Sequence, residues 1–261
     1  LITAFLCLFI CAIVQGYSGF GGGLMIVPIM ALLFGPVMGI ALVAIPFFFG
    51  MLVILPRALP DVNWREVAPL ATISSIAIII GQIFLLSADP KNLKIAMGIF
   101  IVCFAILFLR NWRYNGKRNF ITRGIVGATT GGITGTFGIP GGPVAVMYYL
   151  SAPIKPAEQR ANILITGFLN TIVFLGGFIL HGVYQDVSVT ESGILVPAFI
   201  VGSIFAIFSI KNKNYIFSIT FIILLLFIEI TSLSRFYMFL IFISFLIFTK
   251  KKFLLYILSL V

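Results

Sequence analysis

The chain has 261 residues, of which 61% are hydrophobic and 9% are charged, and its mean hydropathy is +1.20. Soluble domains carry far fewer apolar and far more charged residues, so the composition excludes a soluble protein and predicts an integral membrane protein surrounded by the lipid bilayer. The formal net charge is +10, but the basic residues lie in short loops between apolar segments, where membrane topology places them, so we expect no nucleic-acid partner.

The first predicted element is an apolar segment, 1–15, that runs into a glycine-rich stretch, 16–23, ahead of a second apolar segment, 24–34. Each glycine costs a helix about 1 kcal/mol relative to alanine, so the stretch predicts a break. Neither flanking segment is long enough to cross a bilayer alone. We therefore expect a helix broken within the membrane, or a re-entrant hairpin with the glycines at its tip.

Three longer apolar segments follow and are predicted to be transmembrane helices, namely 36–55, 66–87 and 93–109. Together with the glycine-rich element they form a predicted first transmembrane repeat, 1–110. The next stretch, 111–120, is a predicted linker, and with Arg110 and Arg123 it is the most basic part of the chain. The positive-inside rule places this linker in the cytoplasm.

A second glycine-rich stretch, 135–143, lies between the apolar segments 121–136 and 144–150. Its glycines repeat those of the first stretch when the two are aligned without gaps, with Gly16, Gly19, Gly22 and Gly23 falling on Gly135, Gly138, Gly141 and Gly142. Random placement of glycine would rarely give this match, so we infer a tandem duplication.

The second predicted repeat, 121–233, continues with apolar segments at 161–180, 193–210 and 215–233, and an extra hydrophobic segment, 234–261, ends the chain. If the second glycine element were a single span, Lys155 and Arg160 would lie outside, and the loop 181–190, which has no lysine or arginine, would lie inside. A hairpin reverses both placements and satisfies the positive-inside rule. The sequence thus predicts an all-α polytopic fold with two inverted repeats, each a glycine-rich broken or re-entrant helix followed by about three transmembrane helices.

The two glycine elements form the predicted binding site. A helix that restarts after a break presents unpaired N–H groups and a positive dipole end, and two such ends that face each other would hold a small anion near the membrane midplane. The candidate ligands are the backbone and hydroxyl groups of the two breaks and one arginine, that is Ser18, Gly19, Gly21, Gly22, Gly23, Thr134, Thr136, Gly138, Gly141, Gly142 and Arg160. The alternative is that these glycines serve only close helix packing.

The few polar residues at the helix segments each have two interpretations. Arg160 offers a guanidinium fork to an oxyanion or anchors its helix in the cytoplasm. His181 and Glu229 are candidates to carry a coupling proton, with sodium as the alternative coupling ion; otherwise His181 is a solvated loop residue and Glu229 reaches the interface. Asn170 is expected to hydrogen-bond a neighbouring helix or to line the pathway.

Catalytic patterns are missing from the sequence. It contains no Ser–His–carboxylate set, no paired acids, no phosphate-binding loop and no Cys, His or carboxylate cluster with metal-ligand spacing. We therefore expect no enzyme activity, no cofactor and no metal ion.

Four motifs occur together in this chain, namely Gly16-x-x-Gly19-x-Gly21-Gly22-Gly23-x-x-x-Val27-Pro28, Asp61-Val62-Asn63-Trp64-Arg65, Gly135-x-x-Gly138-x-x-Gly141-Gly142 and Glu158-Gln159-Arg160-Ala161. With them the chain resembles the TauE/SafE family of sulfite exporter-like membrane permeases over residues 1–233. The resemblance implies a secondary transporter that moves sulfite, an organosulfonate or a related sulfur-containing anion across the bacterial cytoplasmic membrane, with alternating access as the expected mechanism. The alternatives are a passive anion channel and a membrane scaffold or accessory subunit that transports nothing.

Overall fold

The computed structural model describes residues 2–110, 112–139, 142–186 and 189–211, and every regular element in them is helical. The helices are α1 (Ile2–Ser18), α2 (Gly22–Phe34), α3 (Pro36–Ala58), α4 (Trp64–Ser87), α5 (Pro90–Leu109), α6 (Phe120–Phe137), α7 (Pro143–Leu150), α8 (Pro156–Leu180), α9 (Val183–Asp186) and α10 (Val189–Lys211), with a 3₁₀ turn at Leu59–Asp61. The all-helical prediction is therefore confirmed for these residues. The predicted segments 215–233 and 234–261 lie outside them.

Five helical segments within the described ranges are long and apolar enough to cross a membrane. They are Pro36–Asp61, Trp64–Ser87, Pro90–Leu109, Pro156–Leu180 and Val189–Phe208. Each overlaps one of the longer apolar segments of the sequence. The chain is therefore a multi-pass membrane protein.

Several helix starts follow from local sequence. Proline opens α3, α5, α7 and α8, at a position where its missing N–H would have no partner. Asp89 accepts hydrogen bonds from the backbone N–H groups of Lys91 and Asn92, each at 3.0 Å, and so caps α5. Asn119 caps α6 in the same way, because its Oδ1 accepts from the N–H of Thr122 at 2.9 Å.

Both glycine-rich stretches interrupt helices. α1 ends at Ser18 and α2 begins at Gly22, and between them Gly19 and Gly21 have φ of +78° and +92°. α6 ends at Phe137, where Gly138 has φ +66°, and α7 begins one residue after Gly142, which has φ +44°. Residues with a Cβ rarely adopt these values, so the helices are interrupted at positions that favour glycine.

A glycine stripe brings α6 against the backbone of α4. A Cβ added at Gly127, Gly131 or Gly135 would lie 2.6, 2.1 and 2.4 Å from the carbonyl oxygens of, in turn, Leu70, Ser74 and Ile78. These residues follow one another at four-residue steps on both helices, so α6 and α4 run in the same direction. Small residues allow this close backbone approach, as in other membrane helix pairs.

α1 and α10 form a second close pair. A Cβ on Gly16 would lie 2.5 Å from the Cβ of Ala206, and one on Gly202 would lie 2.6 Å from the carbonyl oxygen of Phe9. Residue numbers again rise together along both helices, so they also run in the same direction. Between the two close pairs lies α3, which packs against α2, α8 and α10 and carries many of the fully buried apolar side chains.

A polar cluster joins the basic linker to α4, α6 and α7. The guanidinium of Arg123 binds both carboxylate oxygens of Glu66, with nitrogen–oxygen distances of 2.5 and 3.1 Å. The hydroxyl of Tyr148 donates to the same carboxylate at 3.0 Å, and Arg118 lies over the Tyr148 ring while donating to its carbonyl at 2.7 Å. The sequence analysis did not single out this cluster, which fixes the start of α6 and the end of α7 beside the start of α4.

Candidate functional site

Gln15 holds the first glycine break together. Its amide nitrogen donates to the carbonyl of Gly19 at 3.0 Å, and its Oε1 accepts from the N–H of Gly22 at 3.0 Å. The amide therefore joins the end of α1 to the start of α2, and it pairs one N–H group that the sequence assigned to the substrate. Gln15 was not among the predicted site residues, although a buried amide just before a run of glycines is a readable signal.

The other predicted ligands of the first break are mostly buried within it. The hydroxyl of Ser18 lies 2.7 Å from the carbonyl of Val14 and also contacts the backbone of Phe20. Gly23 is buried in the first turn of α2, and Gly21 is partly exposed. Ser18 thus stabilises the break itself, while the first-turn N–H groups of Gly23 and Leu24 have no partner within the helix.

Arg160 belongs to the first break rather than to the second, although the second precedes it in the chain. Its Nη2 donates to the carbonyl of Gly16 at 2.5 Å, and its side-chain stem lies against Gly19. The Nε of the same guanidinium is buried and has no hydrogen-bond partner among the described residues. One donor of Arg160 is therefore used to hold α1, and another is available beside the break.

The second break is closed by a shorter side chain. The hydroxyl of Thr134 donates to the carbonyl of Ile139 at 3.0 Å, and Gly138 lies against the side chain of Ile40 in α3. Gly142 lies against the methyl group of Thr130. Thr136 is partly buried on the last turn of α6, where its backbone passes close to Gly81. Gly141 lies outside the described residues.

Two buried polar side chains, one beside the second break and one on α8, have no partner among the described residues. Thr130 Oγ1 and both amide atoms of Asn170 form no hydrogen bond with any described residue, and both residues are 0% exposed. The expected hydrogen bond from Asn170 to a neighbouring helix is thus not seen in this part of the chain. Buried polar atoms without partners are uncommon in native structures and call for an explanation.

Side chains near the two breaks belong to one buried cluster. Phe20 of the first break and Ala145 and Val146 of α7 are members of it. A small cavity lies beside the second break, between α3 and α8, and its lining includes Ile40, Thr134 and Gly138. That the two glycine elements meet to form one anion site stays a prediction.

His181, one of the two coupling candidates, lies apart from this arrangement. His181 is exposed directly after the end of α8, at the opposite end of that helix from Arg160. Glu229 lies outside the described residues. Within the described ranges, no three Cys, His, Asp or Glu residues are close enough together to hold a metal ion.

Comparison with known proteins identifies the family. Neither the curated proteins nor the solved structures contain a match to this chain. The model of one protein family, described as sulfite exporter TauE/SafE, matches residues 4–231, which include both glycine breaks and the described helices apart from the first two residues of α1. The resemblance seen in the sequence motifs is thereby confirmed, and the chain belongs to the TauE/SafE sulfite exporter family of membrane transporters.

Proposed function

We propose that this protein is a secondary transporter that moves a small anion, most simply sulfite or an organosulfonate, across the bacterial cytoplasmic membrane by alternating access. The observation that carries the proposal is the pair of buried glycine breaks, each followed by a helix whose first N–H groups have no partner within the helix. Such helix ends attract anions through their unpaired donors and their dipole. Irregular backbone at membrane depth is tolerated where it lines a protected site.

The packing of the helices supports two inverted repeats. In the alignment of the glycine stretches, α1 corresponds to α6, and counting forward from there pairs α4 with α10 when α9, which has only four residues, is left out. The two close pairs, α6 on α4 and α1 on α10, are then the same contact made twice, each between a glycine helix of one repeat and the fourth helix of the other. Such an exchange of equivalent partners is expected when duplicated halves are related by a two-fold axis.

Contacts at the basic linker support the hairpin form of the second glycine element. The backbone N–H of Tyr114 in the linker donates to the hydroxyl of Ser151 after α7, at 2.9 Å, and Arg118 binds the carbonyl of Tyr148. The start of α6 and the end of α7 therefore lie on the same side as the linker, which the positive-inside rule assigns to the cytoplasm. By the same duplication, we place the opening of the first element on the outer side.

Arg160 supplies the positive charge that the anion meets at the first break. The guanidinium is partly buried, and its unpaired Nε lies beside Gly19, where the backbone can approach a ligand closely. Export of an anion runs downhill in a negative-inside potential, whereas uptake needs a coupled proton or sodium ion. Proton coupling would involve His181 or Glu229, the candidates that the sequence offers.

A thermal-shift panel on detergent-purified protein tests the anion site first. Unfolding is followed by tryptophan fluorescence with sulfite under anaerobic conditions, sulfate, thiosulfate, sulfoacetate, taurine or chloride. A ligand that binds only the folded state raises the melting temperature, so selective stabilisation by one sulfur anion supports the proposal and names the substrate class. A melting temperature that none of the six solutes raises contradicts it.

Counterflow in proteoliposomes then separates a transporter from a channel. Vesicles loaded with the stabilising anion are diluted into a trace of the labelled anion, with the membrane potential clamped at zero. A transporter that alternates between two faces accumulates label transiently against its gradient, because internal anion drives exchange. Label that only equilibrates indicates a passive channel, and absence of flux indicates a non-transporting scaffold.

A further inference from the structure

The two glycine breaks differ in whether a side chain pairs an N–H group at the start of the helix that follows. At the first break, the long side chain of Gln15 reaches the N–H of Gly22 and pairs it. In the ungapped alignment of the breaks, the residue at the position of Gln15 is Thr134, and its short side chain reaches only the carbonyl of Ile139. α7 therefore begins without a side-chain cap among the described residues.

The first turn of α7 consequently exposes donors to its buried surroundings. α7 has eight residues and opens with Pro143, which has no N–H. Among the described residues, the first backbone hydrogen bond into the helix goes from Val146 to the carbonyl of Gly142, at 3.3 Å. The N–H groups of Val144 and Ala145 have no helical partner in the described part of the chain, and the neighbouring residues Gly138, Ile139 and Gly142 are buried.

Thr130 lies directly against this helix start. Its methyl group is so close to Gly142 that an added Cβ there would lie 2.3 Å from it. The hydroxyl group on the same Cβ of Thr130 is fully buried and has no partner among the described residues. Thr130 therefore adds an unused hydroxyl donor on a side chain that contacts Gly142, the residue directly before α7.

The register of α7 on α8 brings Asn170 to the same level. The Tyr149 hydroxyl lies 3.0 Å from that of Thr166, and the Gln159 amide nitrogen donates to the carbonyl of Ala152 at 2.7 Å. Between these two contacts the residue number rises from Tyr149 to Ala152 and falls from Thr166 to Gln159, so α7 and α8 are antiparallel. One turn back from Tyr149 is Ala145, and one turn forward from Thr166, on the same face, is Asn170.

We propose that the second glycine break binds one oxyanion through three kinds of neutral donor: the N–H groups of Val144 and Ala145, the hydroxyl of Thr130 and the amide of Asn170. This inference rests on the proposed anion transport and names the side chains that select the anion. Several oxygens on one sulfur atom can accept from several separate donors at once, whereas a halide presents a single centre. The site would explain why Thr130 and Asn170 have unpaired polar atoms, because their hydroxyl and amide groups would donate to the oxygens of the bound oxyanion.

The variant Asn170→Leu gives the sharpest test, because a binding role and a packing role predict opposite results. Leucine has a similar volume and removes an amide that is buried without a partner, so the melting temperature without ligand stays the same or rises. Stabilisation by the sulfur anion that protects the wild type is lost, and its affinity falls about tenfold or more, as for removal of a hydrogen bond to a charged group. If Asn170 serves packing alone, the ligand-free melting temperature falls and the affinity of the folded protein is unchanged, which overturns the inference.

Thr130→Val provides the second test, with Thr129→Val as its matched control. Both changes replace a hydroxyl by a methyl group on neighbouring positions of α6, but the Thr129 side chain is exposed and bonds its own helix at Ile125. We expect weaker binding of the sulfur anion, with chloride binding unaltered, only for Thr130→Val. Equal affinity of Thr130→Val and the wild type overturns the role of the hydroxyl.

The same panel separates failure of this inference from failure of the proposed function. A wild-type protein that binds a sulfur anion, with both variants unaffected, retains the function and overturns the second-break site. A wild-type protein that no anion stabilises overturns both.

Discussion

At the scale of single residues, Gln15 stabilises the first break through two side-chain hydrogen bonds across it. Its amide pairs the Gly19 carbonyl and the Gly22 N–H, so Gln15→Leu leaves both groups buried without a partner. An unsatisfied buried group costs about 1–3 kcal/mol, and we therefore expect a clearly lower melting temperature in detergent. Gln185→Leu, on an exposed side chain of α9, is the control and leaves stability unchanged. Equal stability of the Gln15 variant and the wild type would show that the break does not need the amide.

At the scale of the helices, the close pair α4–α6 predicts opposite effects for two adjacent glycines. In Gly131→Ala the new methyl group meets the Ser74 carbonyl at 2.1 Å, so α4 must move, and overpacking of this kind costs about 1–3 kcal/mol. Gly132→Ala meets nothing within 4 Å and removes a flexible residue from a helix, which is neutral or stabilising. Thermal melting of the two variants side by side checks this difference. A Gly132 variant as unstable as the Gly131 variant would mean that both glycines are needed for the conformation of α6 rather than for contact with α4.

The helices also mark what the sequence can and cannot predict. Glycine cost and apolar length depend on neighbouring residues only, so the breaks near Gly19 and Gly138 and the span that begins at Pro36 were predictable. The partner of Arg123 is Glu66, far away in sequence, and no local pattern links them. The glycine stripe of α6 is visible in the sequence, but only the structure shows that it packs against the backbone of α4. Arg160 was singled out because it follows the second glycine stretch in sequence, whereas the fold places it at the first break.

At the scale of the whole molecule, alternating access requires the two repeats to move relative to each other. Besides the Arg123–Glu66 pair, the contacts of Asn63 join the repeats near the predicted cytoplasmic side. The side-chain amide of Asn63, in the loop before α4, donates to Glu158 in the first turn of α8 at 2.8 Å. The backbone N–H of Asn63 also donates to Asn162 at 2.9 Å. If the repeats separate here when the inner face opens, a permanent link at this point must hold the transporter in one state.

Cross-linking Asn63→Cys to Glu158→Cys tests this requirement in a background without the native cysteines at 7, 11 and 103. A short bis-maleimide is preferable to a disulfide, because sulfite cleaves disulfides. We expect the cross-linked protein, reconstituted in vesicles, to lose anion counterflow, because the inner face can no longer open. The single-cysteine variants treated with the same reagent retain counterflow. Unchanged counterflow in fully cross-linked protein would mean that the repeats do not part between Asn63 and Glu158, and it would move the site of opening elsewhere along their interface.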